Sequence, residues 1–146
     1  MNSNEMKYIT HKAVSLYRKF VSWWTVLDAT SRVLKSNFQS IVHYLGELCG
    51  SWVTFQSFKR GLTTPLHVFL NSAELVKDNL AALTEEVLIL IELSSSNNPE
   101  SEEDFFATYD IILELQEDLR GNFMDCKKHF KDYCLMRQMI LDNFEA

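Results

Sequence analysis

Residues 5–48 read EMKYITHKAVSLYRKFVSWWTVLDATSRVLKSNFQSIVHYLGEL, and this stretch decides the fold. Its 44 residues contain no proline and one glycine. Apolar side chains recur at steps of three and four, which is the spacing of one face of a long α-helix and of a heptad seam. Two successive steps of four meet at Leu34 and predict a local slip in the heptad phase. The predicted core face consists of Ile9, Ala13, Leu16, Phe20, Trp23, Leu27, Thr30, Leu34, Phe38, Ile41, Leu45, Leu48 and Trp52.

A second apolar strip lies beside this face and contains Val14, Tyr17, Val21 and Trp24. Trp23 and Trp24 point about 100° apart on a helix, so only one of them faces the centre of a core. Two interpretations stay open. Either neighbouring helices cover the whole strip, or Tyr17, Val21 and Trp24 anchor another protein, since Trp and Tyr dominate interface hot spots.

The first helix is predicted to end between Leu48 and Arg60, with Gly61 as the residue that follows its C-terminus. Thr64 is a good N-cap, and Pro65 suits the first position of a second helix over residues 65–94. Apolar residues again recur at steps of three and four, from Leu66 to Leu90.

A linker rich in Ser and Asn ends the second helix, and Pro99 closes that linker. Ser101 and the three acidic residues after it are typical of a helix N-terminus, which predicts a third helix over residues 102–144. Gln116 and Arg137 are polar positions on its apolar seam.

These patterns predict an all-α fold, namely a single domain over residues 1–146 that forms an elongated antiparallel three-helix bundle with coiled-coil-like heptad packing. Because the second predicted helix is shorter than the others, parts of the first and third helices would lack an internal partner. Near the end of the chain Leu135, Met136 and Met139 add apolar surface off the seam, and adaptable methionine-rich faces suit docking. These three residues form a second candidate docking surface, with plain core as the alternative.

The net charge of −6 is unevenly distributed along the chain. Residues 1–60 contain eight Lys/Arg and three Asp/Glu, whereas residues 61–146 contain six Lys/Arg and seventeen Asp/Glu. A basic first helix beside two acidic helices favours this pairing over homotypic association. Nucleic acid is disfavoured as a partner by the acidic total, but a local strip leaves an anionic-surface or nucleic-acid binder as the alternative function. That strip contains Lys7, His11, Lys12, Arg18 and Lys19.

Recognisable catalytic and ligand-binding motifs are absent from the sequence. It has no glycine-rich phosphate loop, nucleophile elbow, metalloprotease pair or Cys-x-x-Cys motif. Cys126, His129 and Cys134 come nearest to a metal-ligand set but lack a further Cys/His pair. We therefore expect no enzyme, no cofactor and no metal. The longest apolar run, residues 87–91, is too short to cross a bilayer, and the N-terminus lacks a secretory core. With three cysteines in no framework spacing, these features predict an intracellular protein of the nucleus or cytoplasm.

The segment Lys128-His129-Phe130-Lys131, followed by Leu135, Arg137 and Ile140-Leu141, resembles the C-terminal helix of a small helical ribosome-maturation factor family. A tryptophan in the long first helix, here Trp23 or Trp24, is similar in position. The resemblance implies an adaptor, without catalysis, of a AAA-type ATPase assembly that recycles factors from late large-subunit precursors.

From the residues themselves we predict a noncatalytic helical adaptor or scaffold subunit of a multiprotein complex. Its partners would be one or more proteins, through helical pairing or self-association. The predicted partner-binding residues are Tyr17, Val21, Trp24, Leu135, Met136 and Met139.

Overall fold

The computed structural model describes residues 3–96, 98 and 100–145. The described residues form an all-α three-helix bundle without strands, as predicted from the apolar periodicity. None of its helices has the length and apolar character needed to cross a membrane. The three helices are α1 (Ser3–Leu48), α2 (Trp52–Ser95) and α3 (Ser101–Glu145).

The first helix was predicted to end between Leu48 and Arg60, and the turn between α1 and α2 lies at the start of that interval. α1 ends at Leu48, and α2 already begins at Trp52. Ser51 caps α2, because its carbonyl accepts a 3.0 Å hydrogen bond from the Phe55 amide. The predicted cap at Thr64 is therefore wrong. The Thr64 hydroxyl instead donates to the Arg60 carbonyl one turn earlier at 3.3 Å, as in a helix interior.

Gly61 and Pro65 both lie inside α2 rather than at a helix boundary. Gly61 has no positive φ, so it is not the left-handed C-terminal residue that the sequence predicted. Pro65 removes a hydrogen bond to the Gly61 carbonyl, which costs roughly 3 kcal/mol in a helix interior. Leu62 and Leu66, on either side, are 0% and 4% exposed. Burying each of them stabilises the helix by roughly 1.5–3 kcal/mol, which outweighs the proline penalty.

The three helices consequently have nearly equal lengths of 46, 44 and 45 residues. The prediction that a short second helix leaves parts of the other seams without an internal partner is therefore wrong. Any docking surface must be found among the exposed side chains instead.

The seam of α1 differs in register from the predicted one. Thr10 and Ser31 are buried, and Trp24 is half-buried whereas Trp23 is exposed. Steps of four and three then alternate without interruption, so the predicted slip at Leu34 does not occur. The observed seam consists of Met6, Thr10, Ala13, Tyr17, Phe20, Trp24, Leu27, Ser31, Leu34, Phe38, Ile41 and Leu45.

Hydroxyl groups are tolerated on this seam because each of them is hydrogen-bonded. The Thr10 hydroxyl donates to the Met6 carbonyl at 2.8 Å. The Ser31 hydroxyl donates to the Leu27 carbonyl at 2.9 Å. Burial of a satisfied hydroxyl avoids the cost of an unpaired polar group.

The chain divides into two compact units, each with segments of all three helices. Unit 1 comprises Met1–Thr25 and Leu75–Gly121, and unit 2 comprises Val26–Glu74 and Asn122–Ala146. The single domain stays a prediction. The core of unit 1 contains Met6, Ala13, Phe20, Val76, Leu80, Leu83, Val87, Leu90, Phe105, Ile112 and Leu119. The core of unit 2 contains Leu34, Ile41, Leu45, Leu62, Leu66, Phe69, Ala73, Cys126, Tyr133 and Ile140.

Within unit 2, α2 and α3 run antiparallel. The ring centroids of Phe58 and Phe144 lie 5.2 Å apart, and those of Phe69 and Phe130 lie 6.1 Å apart. The residue numbers of the contacting rings therefore fall along α3 as they rise along α2. This direction agrees with the predicted antiparallel arrangement.

Candidate interaction surfaces

The predicted anchor on α1 is divided between the bundle and the surface. Tyr17 is half-buried, and its hydroxyl lies 2.7 Å from the Thr84 hydroxyl of α2 within unit 1. Trp24 is half-buried on the seam, whereas Val21 is 36% exposed. Trp23, predicted as core, is 48% exposed and packs edge-on against Phe20 with a centroid distance of 5.5 Å. Tyr17 and Trp24 therefore contribute mainly to packing.

The predicted surface on α3 remains largely exposed. Leu135 and Met139 are 63% and 55% exposed, and their spacing of four residues places them on one face of the helix. Met136 is half-buried. Arg137 is also half-buried, and its Nη1 donates to Asn37 Oδ1 of α1 at 3.0 Å. The pattern thus indicated two exposed residues of this face correctly, while Arg137 packs inward.

A surface that sequence reasoning missed lies at the start of α2 in unit 2. Trp52 and Val53 are 72% and 76% exposed, more than any other large apolar side chain for which the structure gives an exposure. Trp52 lines a groove of about 590 Å³ together with Val53 and Arg60. It also lines a second groove of about 210 Å³ with Phe55, whose ring centroid lies 5.6 Å from that of Trp52. We call these four residues the Trp52 surface.

The exposure of Trp52 follows from the way the helices of unit 2 pair. Phe58 already packs against Phe144, which lies in the last turn of α3. The residues of α2 before Phe58 thus have no described residue of α3 opposite them. The sequence signal for this surface was Ser51, whose role as an N-cap makes Trp52 the first residue of a new helix rather than the last seam residue of the first.

The predicted basic strip of α1 is exposed at every position, from Lys7 to Lys19. Lys12 and Lys19 also line a groove of about 390 Å³ between α1 and α3 within unit 1. Gln116, on the α3 side, is only 5% exposed, as expected for a polar seam position. We call this feature the Gln116 groove. Its lining includes Lys12, Leu16, Lys19, Tyr109, Leu113 and Gln116.

The charge distribution of unit 1 is strongly asymmetric. Its α1 segment, residues 1–25, has four Lys/Arg and one Asp/Glu. Residues 75–121 have two Lys/Arg and twelve Asp/Glu. The unit therefore combines a basic helix segment with two acidic ones, which is the pairing that the sequence predicted.

The cysteine and histidine side chains form no obvious reactive centre in the part of the chain that the structure describes. No group of three or more His, Cys, Asp or Glu side chains there is arranged to hold a metal ion. Cys126 is 2% exposed, and burial, with a smaller effect of the Asp125 carboxylate, raises its pKa from 9.0 to about 11. A buried neutral thiol is a poor nucleophile.

No protein-family model, curated protein or solved structure matches this chain. The surfaces described above are therefore the basis for assigning a function.

Proposed function

We propose that this chain is a noncatalytic helical adaptor or scaffold subunit that binds a partner protein through the Trp52 surface. The observation that supports this function is the pair Trp52 and Val53, which present adjacent apolar side chains to solvent beside two grooves. Neither Trp52 nor Val53 belongs to the core of unit 2, which other residues form. Exposed Trp with neighbouring grooves is characteristic of interface hot spots.

The partner is expected to insert an apolar side chain beside Trp52 and to place an acidic side chain near Arg60. Arg60 is exposed, lines the larger groove and forms no ion pair with a described residue. A carboxylate of the partner would gain a charge-assisted hydrogen bond there. Truncating a hot-spot Trp typically costs 2 kcal/mol or more, which corresponds to about a thirtyfold loss of affinity.

The exposed pair Leu135 and Met139 is proposed as a secondary contact. Both side chains belong to unit 2, and their shared helical face offers a flexible methionine next to a leucine. Val21 of the predicted α1 anchor remains a candidate contact in unit 1. Because Tyr17 and Trp24 are half-buried in packing, we expect their substitution to affect stability first.

The resemblance of the α3 segment around Lys128 supports a cellular context for the adaptor, namely ribosome maturation in the nucleus or cytoplasm. Co-sedimentation of the tagged chain with late large-subunit precursors, and not with mature subunits, would agree with this context. A chain that remains at the top of the gradient under all conditions would contradict it.

The decisive experiment compares proteins captured from cells by the tagged wild-type chain and by two variants. The test variant combines Trp52→Ala with Val53→Ala in unit 2. The matched control is Leu88→Ala, which truncates a side chain of unit 1 that is 60% exposed. The captured amount of at least one protein is expected to fall roughly thirtyfold with the test variant and to remain unchanged with the control.

Circular dichroism and thermal unfolding check that the test variant stays folded, as expected for substitutions at exposed positions. Retention of the same proteins by both variants would refute the Trp52 surface as a docking site. Light scattering adds a second criterion. A wild-type dimer that becomes monomeric in the test variant would identify a second copy of this chain as the occupant, instead of a different protein.

A further inference from the structure

We infer that the Gln116 groove of unit 1 binds a short acidic peptide segment of a partner protein, with its backbone at Gln116 and its carboxylates at Lys12 and Lys19. This site adds a contact to the proposed adaptor function. It uses no residue of the Trp52 surface, so either site can fail without the other.

Gln116 is the observation that points to a ligand. Its side chain lines the groove, although the residue is 95% buried. Its amide forms no hydrogen bond with any described residue. Neither amide atom is among the fully buried side-chain atoms that lack a partner, so the amide opens onto the groove, where water or a ligand can bond to it. The amide offers one acceptor and two donor hydrogens, and a peptide group offers the complementary acceptor and donor.

Lys12 and Lys19 determine the expected charge and spacing of the ligand. Both are exposed, line the groove and form no ion pair with a described residue. Seven residues of α-helix separate them, which corresponds to about 10.5 Å along the axis. Three residues of an extended or polyproline II peptide span about 9–10 Å. Carboxylates at positions i and i+3 of the peptide would therefore lie beside the two ammonium groups.

The apolar lining suits a side chain between the two carboxylates. Leu16 of α1 and Leu113 of α3 lie on opposite sides of the groove, and the half-buried Tyr109 ring completes this lining. The groove volume of about 390 Å³ accommodates a few peptide residues rather than a folded element. A sequence of the type acidic, apolar, any residue, acidic fits these features.

Phosphate ligands and nucleic acids fit less well. A phosphate group offers only acceptors, so it would leave the Gln116 carbonyl oxygen without a donor. A nucleic acid extends beyond the groove, where the twelve acidic residues of the 75–121 segment repel a polyanion. A peptide with two carboxylates confines its charge to the lysine side of the groove.

The test is a binding titration of the full-length chain with the fluorescein-labelled peptide Gly-Glu-Leu-Ala-Glu-Gly, followed by fluorescence anisotropy at low salt. Lys12→Gln and Lys19→Gln are each expected to weaken binding roughly tenfold, since each removes one charge-assisted contact. Arg18→Gln is the matched control, because it removes an exposed charge of the same helix that does not line the groove. This control is expected to change binding less than twofold.

Gln116→Leu separates a binding role from a structural one. This substitution is expected to weaken peptide binding roughly five- to tenfold without lowering the melting temperature, because it removes the amide that opens onto the groove. Unchanged binding in this variant, or equal losses for Arg18→Gln and the two groove lysines, would overturn the site. Absence of binding at millimolar peptide would overturn it too, as would tighter binding of inorganic tripolyphosphate or a single-stranded oligonucleotide than of the peptide.

Discussion

Replacing Gly61 by alanine is expected to stabilise the protein by about 1 kcal/mol. Gly61 lies in the interior of α2 with a negative φ, and alanine is about 0.8–1.0 kcal/mol more favourable than glycine there. A Cβ built at this position lies 3.6 Å from Ile140 Cδ1, which is an ordinary van der Waals contact. No steric cost therefore offsets the gain. For a chain of this length the melting temperature should rise by roughly 3–5 °C.

The measurement is urea and thermal unfolding followed by circular dichroism at 222 nm. Gly121→Ala is the matched control, because Gly121 lies inside α3 and a Cβ there meets nothing within 4 Å. It should stabilise by a similar amount. Pro65→Ala should stabilise further, by roughly 2–3 kcal/mol, since it restores the amide that bonds to the Gly61 carbonyl.

The sign of the Gly61 effect distinguishes the continuous helix from the helix boundary suggested by the sequence. In a left-handed C-terminal position, alanine would destabilise the protein by about 1 kcal/mol or more. A loss of stability in Gly61→Ala, together with a gain in Gly121→Ala, would refute the placement of Gly61 inside α2.

Four further predictions test packing in the bundle. Trp24→Ala is expected to lower the free energy of unfolding by about 3 kcal/mol, because Trp24 lies on the seam. Trp23→Ala is expected to lower it by only about 1 kcal/mol. The opposite order in urea unfolding would contradict the observed register of α1. The Cys126 thiol should react with iodoacetamide roughly a hundredfold more slowly in the folded than in the urea-unfolded chain at pH 8.5. Its folded-state pKa is raised from 9.0 to about 11, so its contribution to stability is complete below pH 9 and is lost as the pH rises towards 11. The wild type should therefore lose more stability over this window than Cys126→Ala does, and parallel pH profiles would argue against the shift. Asn122→Leu should raise the free energy of unfolding by about 1 kcal/mol, because Asn122 Nδ2 is buried without a hydrogen-bond partner. A destabilised variant would indicate that this atom does have a hydrogen-bond partner.

The candidate surfaces were only partly predictable from the sequence. Leu135 and Met139 could be identified because they are apolar residues that lie off the seam of the third helix, and both are exposed. Trp52 could not, since apolar spacing alone does not show whether a tryptophan ends one helix or begins the next. Gln116 was recognisable as a polar seam residue, but only the tertiary structure shows that it lines a groove between α1 and α3.

The sequence by itself determined that the chain is helical and where its clearest turn lies. Apolar residues at steps of three and four, and the Ser- and Asn-rich linker before Ser101, are local signals that depend on neighbouring residues only. Tertiary structure decided the register of α1 and the continuity of α2. Adjacent pairs such as Trp23 and Trp24 are equivalent in local pattern, so only packing against the other helices selects between them. The penalty of Pro65 is likewise local, whereas the burial that offsets it comes from residues distant in sequence.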